Sequence, residues 1–163
     1  MEAFAKIKSD FPKWKVEFWG DIEYDKNYYK ECLNLLKKYN CSEVIFFCGT
    51  TNDVLVKLKS SDIFAFPSAF EGFSLALTEA MSVGLPVIGY RSCPSVNTII
   101  VDGYNGLLCD DGVESMSDRL AILMSDYKLR AEMGTNAHKS ISGFAAPIVL
   151  DQWERLLNRF FCN

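Results

Sequence analysis

Residues 61–80 read SDIFAFPSAFEGFSLALTEA, and the fold is decided here. Ile63, Phe64, Ala65 and Phe66 make a continuous apolar run, the pattern of a strand covered on both faces, and Pro67-Ser68 ends it in a turn. Glu71 and Gly72 follow. From Phe73 the spacing predicts a helix over 73–83 whose second turn carries Glu79. A helix that opens just beyond the C-terminal end of a strand aims unpaired backbone N–H groups at that edge, which suits a phosphate. Two acids bracket the opening. A carboxylate repels phosphate but accepts hydrogen bonds readily from sugar hydroxyls. The arrangement suits a ligand with phosphate in its middle and a polyol at each end, which describes a nucleotide-sugar.

Working outward, the same alternation of strand and helix runs along the whole chain. Apolar strand patterns stand at 15–19, 44–47, 63–66, 86–90 and 106–109, and the first four are apolar enough to be covered on both faces. Helical patterns stand at 1–8, 26–39, 53–60, 73–83, 95–101, 113–125, 126–141 and 146–160. Alternation with short Gly/Asn/Asp turns predicts βαβ units, hence an α/β fold with a doubly wound, mostly parallel sheet flanked by helices. No repeat, low-complexity tract or linker interrupts it, so residues 1–163 read as a single domain. On the helix at 73–83, Phe73, Leu75, Leu77, Ala80 and Met81 are expected in the core. Ser95 is placed to cap the helix that follows it.

Composition narrows the class. Apolar residues make up 49% and charged residues 23% of the chain, a balance that excludes disorder. Seventeen Lys+Arg against twenty-one Asp+Glu leave a net charge of −4, which favours neither nucleic acid nor an anionic membrane as a partner. No apolar run reaches the roughly 18 residues needed to span a bilayer, and Met1 opens no signal peptide. Six cysteines, Cys32, Cys41, Cys48, Cys93, Cys109 and Cys162, contain no C-x-x-C pair, and with a lone histidine, His138, no Cys/His zinc site is expected. Scattered cysteines of this kind are reduced and partly buried, which places the chain in a cytosol. Cys48 and Cys93 fall on loops near the ligand edge, where alkylation would reach binding. His138 lies in a late helix far from the acids and reads as structural, and Arg91 reads either as a surface residue or as a contact to phosphate or acceptor.

Glu71 and Glu79 stand in an E-x7-E pattern, EGFSLALTE, followed by AMSVGLPVIGY and DGYNGLL. With SDIFAFPS before it, the segment resembles the C-terminal, donor-binding domain of a retaining glycosyltransferase of the two-Rossmann (GT-B) type, close to glycosyltransferase family 4. The resemblance implies that Glu71 meets the donor sugar and supports positive charge at its anomeric carbon, and that Glu79 binds the ribose hydroxyls. It implies backbone N–H groups at Gly72, Phe73, Ser74 and Leu75 for the distal phosphate. The loop Cys48-Gly49-Thr50-Thr51 matches the place where the base is read, so Gly49 and Thr50, with Ser68 in the turn after the strand, join the donor-binding set. The implied reaction moves a sugar from a nucleoside diphosphate sugar, a UDP-sugar first, to an acceptor hydroxyl with retention. The nucleotide-sugar is a substrate there, and neither metal nor cofactor is expected. The implied setting is bacterial surface polysaccharide (O-antigen or capsule) synthesis in the cytoplasm, peripheral at the inner face of the membrane, with a lipid-linked acceptor glycan. Two alternatives stand beside it: a sugar-nucleotide epimerase of the same architecture, and a non-catalytic nucleotide-binding α/β module.

One departure from the family is as informative as the matches. Its members begin this domain with a strand ending in Gly-Arg, with a lysine a few residues on, and those basic groups hold the donor diphosphate. Here residues 1–8 read as the helix that follows such a strand. The first, central strand and the N-terminal acceptor domain are therefore expected to be missing from this chain, which alone is expected to be inactive. The strands at 15–19 and 63–66 would then carry open backbone edges. Either those two strands pair directly, or a neighbouring chain inserts a segment, giving a strand-swapped dimer.

Overall fold

The computed structural model describes residues 1–161; Cys162, among the cysteines counted above, lies outside them. The chain runs α1 (Glu2–Ile7), β1 (Val16–Trp19), α2 (Lys26–Lys38), β2 (Ile45–Gly49), α3 (Val54–Lys59), β3 (Phe64–Phe66), α4 (Leu75–Ser82), β4 (Val87–Tyr90), α5 (Pro94–Ile99), β5 (Gly106–Cys109), α6 (Val113–Ser125), α7 (Tyr127–Ile141) and α8 (Ala146–Phe161). Every strand pairing is parallel, as the alternation of strand with helix requires. The strands form two sheets, β1-β2 and β3-β4-β5. Of the two ways of closing the sheet, direct pairing of β1 with β3 is not the one adopted.

The expectation of two-sided cover holds at one end of the fold and fails at the other. Val87, Ile88 and Gly89 of β4 and all four residues of β5 are buried. In β1, by contrast, Glu17 and Trp19 are exposed, and in β3 so is Ala65, between half-buried Phe64 and Phe66. In β2 only Ile45 is buried and Phe46 is exposed, so thin cover extends over β1, β2 and β3 alike.

Three clusters make the core. Leu77, Ala80 and Met81 of α4 pack with Val87, Val96, Ile100 and Leu108. Across the sheet, Ile88 and Leu107 meet Met116, Leu123 and Met133. The third gathers Leu36, Cys41 and Ile45 around β1-β2. Helix α1 joins the last two, because Ala3 belongs to one and Phe4 to the other, and a Lys6–Glu114 ion pair ties it to α6. Phe73 and Leu75, expected in the core, are 48% and 68% exposed. Helix α4 begins two residues later than the apolar spacing suggests, because Ser74 caps it, and both side chains fall outside its buried face.

The five cysteines among the described residues are free thiols, and all but Cys48 are buried. Cys93 is fully buried, so the expected sensitivity of this loop to alkylation is left to Cys48. Burial pushes the Cys109 thiol up to about 11, so it stays protonated at neutral pH.

Candidate functional site

β3 ends at Phe66, and Pro67 cannot donate to a further ladder bond, so the chain leaves the sheet there. The Ser68 hydroxyl reaches Glu71 Oε1 at 3.1 Å and the Phe70 carbonyl at 3.2 Å, a single donor shared by two acceptors. It holds the half-buried Glu71 beside the strand end. The resemblance alone did not signal this contact, although a Ser three residues before a Glu in a turn is within local reach.

The backbone then passes Gly72 and Phe73 to Ser74, whose buried side chain accepts from Leu77 N at 3.2 Å while its carbonyl accepts from Thr78 N at 3.1 Å. The hydroxyl is spent on the cap, so at Ser74 only the backbone is offered to a ligand. The N–H groups of Leu75 and Ala76 have no acceptor among the described residues, which leaves two first-turn donors at the helix opening. At Gly72 an added Cβ would meet nothing within 4 Å, and the backbone is not left-handed. Glu79 is exposed one turn on, and at i+3 it neighbours Ala76 on the helix surface.

The loop after β2 brings in the remaining expected residues. Gly49 adopts φ +71°, a left-handed turn, and its carbonyl accepts from Gly20 N at 2.8 Å, locking the β1 and β2 ends together. Thr50 and Thr51 beyond it, with Ala76 at the opening of α4, line one cavity of ≈ 860 Å³. Neither glutamate lines this cavity. It runs instead from Trp14 and Lys15 at the start of β1, between Glu17 and Trp19 on one side and Phe64 and Phe66 on the other, to Thr50 and Ala76 at the strand ends. Lys57 of α3 sits in this wall with its ammonium 4.7 Å from the centre of the Trp19 ring.

Other flagged residues are taken up structurally. Arg91 pairs with Asp102 at 2.7 Å, and the same carboxylate accepts from Leu108 N at 2.9 Å. Burial opposes ionisation of Asp102, yet the Leu108 N–H and Arg91 together hold its carboxyl below the usual range. Helix α5 is capped by Cys93 and not by Ser95, because Pro94 occupies its first turn, where a fixed φ and a missing N–H cost nothing. Asn97 donates to the Arg91 carbonyl at 2.9 Å, and His138 Nδ1 lies 2.6 Å from the Ser82 carbonyl, tying α7 to the end of α4.

Comparison with known proteins matches residues 1–140 to the family model for glycosyl transferases, group 1. An uncharacterized glycosyltransferase of Haemophilus influenzae is 26% identical over 158 residues, 96% of this chain and 44% of that protein. The UDP-Gal:alpha-D-GlcNAc-diphosphoundecaprenol alpha-1,3-galactosyltransferase of Escherichia coli is 30% identical over 129 residues, 78% of this chain and 31% of that protein. The crystal structure of the C-terminal domain of a group 1 family glycosyl transferase from Francisella tularensis superposes with a TM-score of 0.79 at 28% identity, covering 86% of this chain and 74% of that one. The chain thus spans less than half the length of the two relatives.

Proposed function

The chain belongs to the group 1 glycosyl transferases, and from that premise we propose that it is the donor-binding domain of a retaining glycosyltransferase acting on a UDP-sugar. The observation that carries this reading is the opening of α4. A carboxylate, Glu71, held by Ser68 in the preceding turn, leads into it, and the first-turn N–H groups of Leu75 and Ala76 have no acceptor among the described residues. In such a transfer the bond from the anomeric carbon to the diphosphate breaks with its electron pair leaving on the phosphate, and the acceptor hydroxyl bonds the same face of the carbon as its proton passes to the departing phosphate oxygen. Positive charge develops at the sugar and negative charge at the diphosphate. Glu71 answers the first and the helix opening the second, without reorganisation at the moment of reaction. Glu79, exposed beside Ala76, is assigned to the ribose, and Gly49-Thr50 to the base. The Escherichia coli relative, named for a UDP-galactose donor and a diphosphoundecaprenol-linked acceptor, supports a uridine nucleotide and a lipid-linked glycan acceptor. The acceptor would be held by a separate domain of the whole protein.

The test is a pair of substitutions in the full-length enzyme. Glu71→Gln removes charge that matters most in the transition state, so kcat should fall on the order of 100-fold with KM for the donor little changed. Glu79→Ala removes a contact made equally in ground and transition states, so KM should rise with kcat nearly unchanged. Wild-type kinetics in both variants would reject the assignment.

A further inference from the structure

Helix α7 packs antiparallel to α4 and carries the chain back to the opening of that helix. Gly134 abuts Gly84 just past the end of α4, His138 Nδ1 lies 2.6 Å from the Ser82 carbonyl, and Ala137 is buried with Leu77 and Met81. Ile141, one turn further on, packs against the same cluster. The short 3-10 turn Ser142–Phe144 follows, held to the end of α7 by Ser142 Oγ, which donates to the Lys139 carbonyl at 2.8 Å. The turn delivers Phe144 to Phe73, and the two rings meet with centres 5.5 Å apart and planes tilted by 47°. Rising along α7 thus means falling along α4, from Gly84 through Ser82 to Phe73.

Phe73 stands in the part of the site with least to hold it. On one side Glu71 is tied to Ser68, and on the other Ser74 is buried with its hydroxyl accepting from Leu77 N. Between them Gly72 has no side chain, and a Cβ there would meet nothing within 4 Å. Neither the Gly72 nor the Phe73 N–H has an acceptor among the described residues. Backbone so little restrained keeps conformational freedom that a ligand must remove when it binds. Packing of the Phe73 ring is what can restrain it, and that ring leans on Phe144. We propose that Phe144 is a positioning residue for the donor's distal phosphate: it holds Phe73, and through Phe73 the N–H groups of Gly72 and Phe73, in the arrangement the phosphate meets. This role rests on the donor-binding reading above and adds to it a residue beyond 140, where the family match ends. Phe144 acts by ordering the segment in advance, so its removal weakens ligands that reach the opening of α4 and spares those that stop short of it.

Calorimetric titration of UDP and of UMP into the full-length protein tests this, because UMP lacks the distal phosphate. Phe144→Ala should weaken UDP by about three- to tenfold, the range a ring pair commands, and leave UMP unchanged. Phe144→Tyr keeps the ring and should restore UDP affinity. Phe73→Ala should cost UDP at least as much, and adding Phe144→Ala to it should cost nothing more, as two residues acting through one contact require. Phe144→Leu keeps most of the apolar volume and replaces the alanine variant if thermal unfolding shows that one to be unstable; its smaller loss should likewise fall on UDP alone. Equal losses for UDP and UMP, additive losses in the double variant, or full UDP affinity in Phe144→Ala where Gly72→Ala weakens it would each overturn the positioning role and leave the donor site standing. Wild-type protein that binds UDP no tighter than UMP would instead remove the phosphate from the helix opening, and the donor-binding reading with it.

Discussion

Gly72 probes the candidate site more sharply than either glutamate, because the protein itself does not need a glycine there. No neighbour stands within 4 Å of where a Cβ would go, and the backbone is one that any residue adopts. Gly72→Ala should therefore leave stability within about 0.5 kcal/mol of wild type, as an exposed substitution does. Nucleotide affinity should fall nevertheless, because a phosphate drawn to the helix opening would meet the new methyl. Thermal unfolding and calorimetric titration of UDP on the full-length protein separate the two effects, and a loss of stability with unchanged affinity would show that the glycine serves the loop alone. Asp102 supplies a prediction of the opposite kind, structural and pH-dependent. Its carboxyl is held below the usual range in the folded chain, so the stabilisation it gives is present above the unfolded value of about 3.9 and is lost as pH falls through the lower, folded one. Asp102→Asn should cost about 1 kcal/mol at pH 7, since solvent screens this part-exposed pair, and much less near pH 2. Urea unfolding of both proteins at the two pH values measures it; a difference that does not shrink in acid would assign the effect to shape and not to charge.

At the scale of elements, α4 carries the site and is itself positioned by α7. A Cβ on Gly134 would meet the Gly84 carbonyl oxygen at 2.1 Å, so the two backbones touch where α4 turns into β4. Gly134→Ala forces them apart and should destabilise by about 1–3 kcal/mol, as overpacking does. His138→Ala should cost about 1 kcal/mol through loss of its bond to Ser82. Chemical denaturation checks both, and a neutral Gly134→Ala would mean that α7 slides at no cost. These close approaches show what was legible in the sequence and what was not. The order of strands and helices was readable because each apolar run is bounded by a turn residue, and the Glu71–Glu79 spacing was readable as a motif. The start of α4 was not, since Phe73 and Leu75 continue the apolar spacing while Ser74 stops the helix through a hydrogen bond that spacing does not encode. The cap of α5 falls at Cys93 and not at Ser95, because Pro94 takes the first helical turn.

The whole molecule divides where its two sheets meet. β4 and β5 are sealed between helices, whereas β1 and β2 rest on one cluster joined to the rest by α1, by Leu120 and Met124 of α6, and by Ile63. Sequence alone could show that the strands bordering this division were apolar, but not that they would be left half-covered, because periodicity reports what a residue is suited to touch and not whether anything is there. A junction so narrow should not bind the halves into one cooperative unit. Native-state hydrogen exchange should resolve a lower opening free energy for the inner amides of β1, β2 and α2 than for those of β4 and β5, since regions with few buried apolar contacts open sub-globally. Phe4→Ala should widen that gap: it removes a ring that is 4% exposed from the cluster around β1-β2, at a local cost of about 3–5 kcal/mol, while the α4–β4–β5 core keeps its contacts. Denaturant unfolding of the variant should then show two transitions in place of one. If wild-type exchange instead converges on a single free energy for all five strands, and Phe4→Ala shifts every amide equally, the packing of α1 on α6 couples the halves fully, and the division between the sheets is only geometric.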